Sequence, residues 1–503
     1  MRVYDTKTIR ALDALAIKEY GIPGVLLMDT AAQALLDELD LGASYFVLVA
    51  GKGNNGGDAF ALARKLWQRG KEVELFVTAR REDYHGDAAL FYAMVEKEEI
   101  PVTLIEDNAD LGVFQEALRE ADWVVDALLG TGIKGQVSPF YRNLIKAING
   151  CAKRVLSVDV PSGLCASEGV PKPVAVIARK TVTFEGYKKG FLNYDALPYL
   201  GEVVVCPVGI PEKAKASLDD KVFLLDEAMA SILVPKRVVT GHKNEYGEVL
   251  VVAGSFGYTG AALLATEGAL VSGAGLVRLS SEDAVLAMVM PRLTEAMGLP
   301  LEKIEEGVLK AQVVAFGPGL GTGREAYKLL LRVIQILQEM AGTKKVLLLD
   351  ADGLNVLEGK TELLKSLSFP VIMTPHPGEM ARLLGISKAE VEAHRLDYAK
   401  AFAKEHGVVL VLKGYQSIVT DGEEVYVNTT GTSAMAQGGM GDALTGIISA
   451  FIAQGLSPMK GAILGVYLHG LVGQELGKTH YSIKASDLLK GVPKALKSLQ
   501  EKR

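Results

Sequence analysis

Apolar runs of strand length alternate with segments of helical period along most of the chain. In the first half, Tyr45–Ala50 (YFVLVA) is apolar throughout and ends in glycines. Ala59–Gly70 has helical spacing. Glu72–Val77, Trp123–Ala127, Arg154–Val160, Thr181–Phe184 and Glu202–Cys206 continue as strand-like runs. Such alternation predicts a mostly parallel sheet covered by helices on both faces, because a strand buried on two sides must be apolar at successive positions. Thr8–Leu39 is helical in period with a break at Gly21–Gly24. It is expected to dock on the sheet or to serve in a dimer contact.

The pattern falters between Pro207 and Glu245 and then restarts. Val249–Ala253, Gln312–Phe316, Lys345–Asp350, Val371–Thr374 and Val408–Lys413 are the next strand-like runs. Asp442–Gln454, Pro458–Gly477 and Ser486–Leu499 read as closing helices. The expectation is two α/β domains, residues 1–215 and 224–500, each large enough to own a core.

Composition narrows the class. The chain has 503 residues, of which 49% are hydrophobic and 23% charged, with a formal net charge of −6. That is too apolar for a disordered chain, and the charge argues against broad nucleic-acid or anionic-lipid binding. Three cysteines make neither a disulfide framework nor a zinc pattern, so a reducing cytoplasm is expected. The histidines show no HxH or HExxH spacing, so a transition-metal site is not expected. The longest uncharged stretch, Val249–Thr266, is broken by three glycines and falls short of a spanning helix.

The candidate chemistry lies where strands end. Gly51-Lys52-Gly53-Asn54-Asn55-Gly56-Gly57-Asp58 follows a strand and opens a helix. Its glycines admit a ligand close to the backbone, and the helix N-terminus offers N–H groups to a phosphate. The paired asparagines suit a monovalent cation or ribose hydroxyls. Asp126 and Asp159 end two further strands, before Leu129–Gly135 and Pro161–Gly163. One strand-end Asp is a turn cap. Three glycine-flanked strand ends together make a binding site, since ligands of open α/β sheets bind there.

These motifs, GKGNNGGD, VDALLGTGIKG and SVDVPSG, resemble in order the YjeF N-terminal family over residues 1–212. The resemblance implies a Rossmann-like three-layer domain that epimerises hydrated NAD(P)H, in which water has added at carbon 6 of the nicotinamide ring. It implies that Asn54, Asn55, Gly56, Gly57 and Asp58, with Gly130, Thr131, Gly132, Ile133, Lys134, Gly135 and Gln136, hold the substrate. Asn55, Asp126 and Ser162 would hold a potassium ion, and Asp159 would act on the substrate. A carboxylate near a cation can serve as the acid–base group for a hydroxyl that leaves and returns. Domains of this family also occur as binding modules; retention of Asp126 and Asp159 favours catalysis.

The second half carries Gly254-Ser255 with Gly260-Ala261-Ala262, then Gly317–Gly321 (GPGLG), Thr374–Glu379 (TPHPGE) and Gln437–Asp442 (QGGMGD). Gly438, Gly439 and Gly441 can aim amides at one point before a helix, forming an anion hole, with Asp442 beside it as a base. In order, GPGLG, TPHPGE, VLKG and GGMGDALTG resemble the ribokinase-like YjeF C-terminal family over residues 225–500. That family implies ADP- or ATP-dependent dehydration of the S epimer to NAD(P)H, with magnesium accompanying the nucleotide. Asp442 would be the base. Ala261, Gly321, His376 and Asp442 would meet the hydrated nucleotide. Lys413, Gly414, Tyr415, Gln416 and Ser417, with Gly438, Gly439 and Gly441, would hold ADP. A kinase for a small alcohol would explain the GxGD alone. The fusion resembles a bifunctional repair family, expected as a cytoplasmic homo-oligomer without nucleic-acid or membrane partners.

Overall fold

The apolar runs of the first half lie side by side in one seven-stranded sheet. Its order is Val102–Leu104, Glu72–Val77, Tyr45–Ala50, Trp123–Ala127, Val155–Val158, Lys180–Phe184 and Glu202–Cys206, and every pairing is parallel. The computed structural model describes residues 1–133, 135–218, 221–340 and 342–503. They form two compact units, Met1–Asp220 and Lys221–Arg503.

Strand order in the first unit reverses direction at Tyr45–Ala50. The next strands in sequence are added on one side, and the chain then crosses to Trp123–Ala127 on the other. The loops after these two neighbours therefore leave in opposite directions and open a crevice at the carboxyl edge. The segment with helical period before the sheet becomes two helices, Thr6–Lys18 and Gly24–Asp37. The second buries Met28, Leu35 and Leu36 in the core with helix Asn54–Trp67, so it docks on its own sheet. Val3–Tyr4 pairs with Tyr187–Lys188 as a separate parallel ribbon.

The second unit is built on ten strands in the order Val222–Leu224, Val425–Val427, Ile418–Thr420, Val409–Leu412, Val371–Met373, Val346–Leu349, Val313–Phe316, Glu248–Val252, Leu276–Ser281 and Met297–Pro300. The middle pairings are parallel, but Ile418–Thr420 is antiparallel to both its neighbours. The expected strands are present, and the sheet is mixed rather than simply parallel. A three-residue strand such as Ile418–Thr420 lies below the length at which periodicity is informative.

Helix Met440–Ala453 is buried almost throughout and lies across helix Thr259–Val271. Contact is backbone to backbone. A Cβ at Gly446 would collide with the Ala265 carbonyl, and one at Gly268 with the Ala443 carbonyl. This crossing fixes the height of the GxGD turn above the sheet. Gly446→Ala should therefore destabilise the second unit by about 1–3 kcal/mol through overpacking, although alanine is by about 1 kcal/mol the better helix former. Urea or thermal unfolding checks it; an unchanged or raised midpoint contradicts the close crossing.

Candidate functional sites

In the first unit the crevice holds a cavity of about 620 Å³, within the usual size of small-molecule sites, roughly 300–1,000 Å³. Asn54, Asn55, Asp58, Gly130, Thr131, Gly132, Ile133 and Asp159 all line it. Glycine is required at its rim: a Cβ at Gly51 would strike the Leu128 carbonyl, whose strand-end loop it crosses. Gly56 and Gly57 do not line the cavity. Gly56 packs on the Gly51 carbonyl and Gly57 on Met28 and Ala88. Gly135 and Gln136 also lie outside the lining, and Lys134 lies outside the described residues.

Asp159 has a left-handed backbone, φ 63°, a conformation costly for a non-glycine residue that clusters at functional sites. Its Oδ1 accepts from Thr183 Oγ1 at 3.0 Å and Phe184 N at 3.2 Å, and pairs with Lys188 Nζ at 2.7 Å. Among the described residues no hydrogen bond engages Oδ2. Lys188 is buried, and its ammonium also donates to the Phe184 carbonyl at 3.1 Å. Asp58 follows the first turn of its helix, nine-tenths buried on the cavity wall. Burial, with Asp159 and Asp13 nearby, pushes its carboxyl well above the usual range.

Asp126 is fully buried. Ser157 Oγ and Ser162 N each donate to its Oδ2 at 2.8 Å. Burial raises its carboxyl, opposed only by hydrogen bonds, and among the described residues it joins no ion pair. Asn55 Nδ2 is buried without a hydrogen-bond partner among the described residues, with its amide against Gly130. Ser162 Oγ already accepts from Leu129 N and donates to the Leu129 carbonyl.

In the second unit the carboxyl ends of adjacent strands again meet. Gly254 N donates to the Pro318 carbonyl and Ser255 Oγ to the Gly319 carbonyl, each at 2.8 Å, so the first two glycine loops are joined. Ala261 and Tyr258 sit against Gly319. Gly321 N donates to Asp352 Oδ2 at 2.8 Å. Beside it a second cavity, about 710 Å³, is lined by Tyr327, Arg324, Lys360 and Arg382.

Helix Met440–Ala453 starts behind Gly439, φ 89°, so the amides of its first turn lack intrahelical partners and face outward together. Asp442 stands in that turn, and among the described residues no hydrogen bond engages its carboxyl. Burial, then the nearby Asp350, raises that carboxyl to about 6 against the pull of Lys413.

Below lies a buried ion pair. Lys413 Nζ contacts Asp350 Oδ1 at 2.7 Å, and Thr374 and Thr445 hydroxyls each donate to Asp350 at 2.8 Å. Burial opposes the charge on Asp350, but Lys413 and the two threonine hydroxyls together outweigh it and the carboxyl lies below its usual range. Both Lys413 Nζ and Asp350 Oδ2 lie where a Cβ at Gly441 would reach, so the ion pair packs against the glycine turn. The Lys413–Ser417 segment is held by buried Arg395, which donates to the carbonyls of Leu412, Lys413 and Tyr415. His376 caps helix Pro377–Leu384: its Nδ1 accepts from Gly378 N and Glu379 N, while Glu379 accepts from His376 N. Burial lowers its imidazole pKa.

Sequence reasoning missed Asp350, Lys188, Asp13 and Arg395. Asp350 had a signal, since LLLD ends a strand as VVDA does. Lys188 and Arg395 had none, because a buried cation looks like any surface one. Among the described residues no helix is long and apolar enough to cross a membrane.

Two family models match the chain: one for the YjeF-related protein N-terminus over residues 25–190, the other for NAD(P)H-hydrate dehydratase over residues 249–494. A bifunctional NAD(P)H-hydrate repair enzyme Nnr of Moorella thermoacetica is 37% identical over 513 residues, covering 97% of this chain and 96% of the relative. The Escherichia coli protein of the same name is 33% identical, covering 86% and 81%. Among solved structures, the Bacillus subtilis ADP/ATP-dependent NAD(P)H-hydrate dehydratase, co-crystallised with ATP and Mg²⁺, is 30% identical with a TM-score of 0.50 over 56% of this chain and 100% of that one. A ribokinase-like superfamily protein of Enterococcus faecalis is 29% identical with a TM-score of 0.51, covering 56% of this chain and 97% of its own. With matches to both halves and relatives spanning nearly its whole length, the chain belongs to the family of bifunctional NAD(P)H-hydrate repair enzymes.

Proposed function

We propose that the Asp159 cavity interconverts the R and S epimers of hydrated NAD(P)H, and that the GxGD site removes water from the S epimer at the expense of ADP or ATP. The chain is an epimerase and a dehydratase by family; the assignment to these residues is the present reading. The observation that carries it is that an aspartate-lined crevice and a helix start behind Gly439 with its own aspartate occur in one chain.

In the first site, Asn54, Asp58, Gly130, Thr131, Gly132 and Ile133 bound the nucleotide, and Gly56, Gly57, Gly135 and Gln136 shape the loops around it. The ring nitrogen lone pair helps the carbon-6 hydroxyl depart, and Asp159 Oδ2 is the free oxygen that exchanges a proton with it. The donor set of Asn55, Asp126 and Ser162 suits a potassium ion. Among the described residues Asp126 is a buried carboxylate without a countercharge, and Asn55 presents an oxygen there once its amide is turned over. Asn55, Asp126 and the remaining lone pair of Ser162 would hold the ion, which supplies positive charge beside the substrate.

In the second site, Asp442 takes the proton of the carbon-6 hydroxyl, and that oxygen attacks the terminal phosphoryl group. The amides of Gly438, Gly439 and Gly441, with Lys413 beneath, receive the charge that develops. The ring nitrogen then expels phosphate, and loss of a ring proton restores the dihydropyridine. Gly414, Tyr415, Gln416 and Ser417 carry the nucleotide. Ala261, Gly321 and His376 bound the hydrated ring, and Arg324, Lys360 and Arg382 suit its phosphates. Asp350 and Asp352 both bear on Asp442, and Lys413 lies near Asp350 and Asp442. That excess of negative charge suits a divalent cation arriving with the nucleotide, which Asp442 would face and which neutralises phosphate charge.

The test is absorbance at the dihydronicotinamide band with mixed epimers and ADP or ATP. Complete conversion is expected. An accumulating phosphorylated product would make the second unit an ordinary kinase, and conversion stalling near half would remove the epimerase.

Asp442→Asn should lower dehydration by on the order of 10²–10⁴ while nucleotide still binds. The base must be ionised, so the wild-type rate should rise with pH up to about 6 and level off above it. A variant that keeps the wild-type rate removes Asp442 from the mechanism.

Asp159→Asn should give the opposite split, with the S epimer consumed normally and the R epimer only as fast as it epimerises unaided. Asp126→Ala should also slow the epimerase, but raised potassium should restore part of that rate. Potassium rescue of Asp159→Asn, or its absence for Asp126→Ala, would reverse the two roles.

A further inference from the structure

Epimerisation moves a hydroxyl from one face of a ring to the other, so a single carboxylate serves both faces only if the ring turns over. The cavity offers a second group. Ile9, Arg10, Asp13 and Ile17 recur at helical spacing and line it together, so one face of helix Thr6–Lys18 forms its wall. Arg10 ties that wall to the opposite loop by donating to the Thr131 carbonyl at 3.1 Å. Asp159, from a strand end, lines the same cavity with Oδ1 occupied and Oδ2 unengaged.

We infer that Asp13 is a second catalytic acid–base residue of the epimerase site, serving the ring face opposite the one served by Asp159. The inference rests on the epimerase reading of this cavity. In one direction, the Asp13 carboxylic acid protonates the departing hydroxyl. The C–O bond breaks, its electron pair leaves with the new water molecule, and the ring nitrogen lone pair forms the C=N⁺ bond. Water then adds to the other face as that bond reverts to a lone pair, and its proton passes to Asp159. Solvent in the cavity then takes the proton from Asp159 and returns one to Asp13, which restores both groups. The reverse reaction exchanges the two roles.

The surroundings suit this division. Asp13 is exposed, but into the crowded cavity, and burial there followed by Asp159 raises its carboxyl to about 6. The groups facing it are Arg10 on its own helix, Lys52 and Asp58 from the glycine loop and its helix, Asp87 on the rim, and Asp159, Glu185 and Lys188 from the strand ends. Behind it, helix Glu212–Ala216 brings Glu212, Lys213 and Lys215, and Lys215 is committed to Glu185 at 2.6 Å. Asp58 is nine-tenths buried and lacks a hydrogen-bond partner among the described residues. It lines the cavity but is the less accessible of the two.

The test follows interconversion of separated hydrated NADH epimers by chromatography in the full-length protein. ADP and ATP are omitted so that the dehydratase is silent, and the uncatalysed rate is subtracted. Wild-type kcat/KM should fall as pH rises above about 6, because Asp13 must be protonated to act as acid in this direction. Asp13→Asn should be slower by on the order of 10²–10⁴ and lose that pH limb. Asp13→Glu, which keeps the acid, should be at least roughly tenfold faster than Asp13→Asn and keep the limb. Thermal unfolding checks that each variant is folded. Wild-type rate and pH profile in Asp13→Asn would overturn the inference alone. So would equal rates for folded Asp13→Asn and Asp13→Glu, or loss of the limb in Asp58→Asn instead. A wild-type protein that does not accelerate interconversion would overturn the epimerase reading, and this inference with it.

Discussion

A carboxylate buried at the end of a parallel strand is the constraint on which both units depend. Removing such a charge from water costs several kcal/mol unless it is paired or hydrogen-bonded. Asp350 meets the cost inside the protein, with Lys413 at 2.7 Å and two threonine hydroxyls. Asp126 meets only part of it, with hydroxyl and amide donors and no cation among the described residues. The first arrangement is a finished foundation under an anion hole. The second has the character of a site waiting for a positive ion.

The same contrast separates groups that support from groups that react. Among the described residues Asp159 spends one oxygen on Lys188, Thr183 and Phe184, and Asp442 spends neither. Each is therefore held by its backbone, Asp159 by a left-handed turn and Asp442 by a helix start behind Gly439. Position comes from rigid elements and reactivity from an oxygen left unengaged. Where a loop matters, a second residue pins it. Arg395 does so for Lys413–Ser417, and His376 does so for its own helix.

Much of this was legible in the sequence because the longer strands are largely apolar runs set between segments of helical period. Tyr45–Ala50, Glu72–Val77, Trp123–Ala127 and Glu202–Cys206 were read with the boundaries they have in the fold. The three-residue strands Val102–Leu104 and Ile418–Thr420 were not, since sheet neighbours rather than local pattern hold them, whereas Val371–Met373 was marked by its apolar run. Strand-end aspartates could be found because position in the pattern marks them. Lys188 and Asp13 could not, because what distinguishes them is the cavity they face, and cavities belong to tertiary structure. His376 stood out as a candidate ligand, and its ring nitrogen is engaged as a helix cap.

The central claim is that two complete, separable sites stand in one chain. It is tested most directly by mixing two inactivated proteins, Asp159→Asn and Asp442→Asn, with both epimers of hydrated NADH and ADP or ATP. The account predicts that the mixture converts both epimers to NADH to completion, because each protein supplies the site the other lacks. A mixture that consumes the R epimer no faster than Asp159→Asn alone would contradict it.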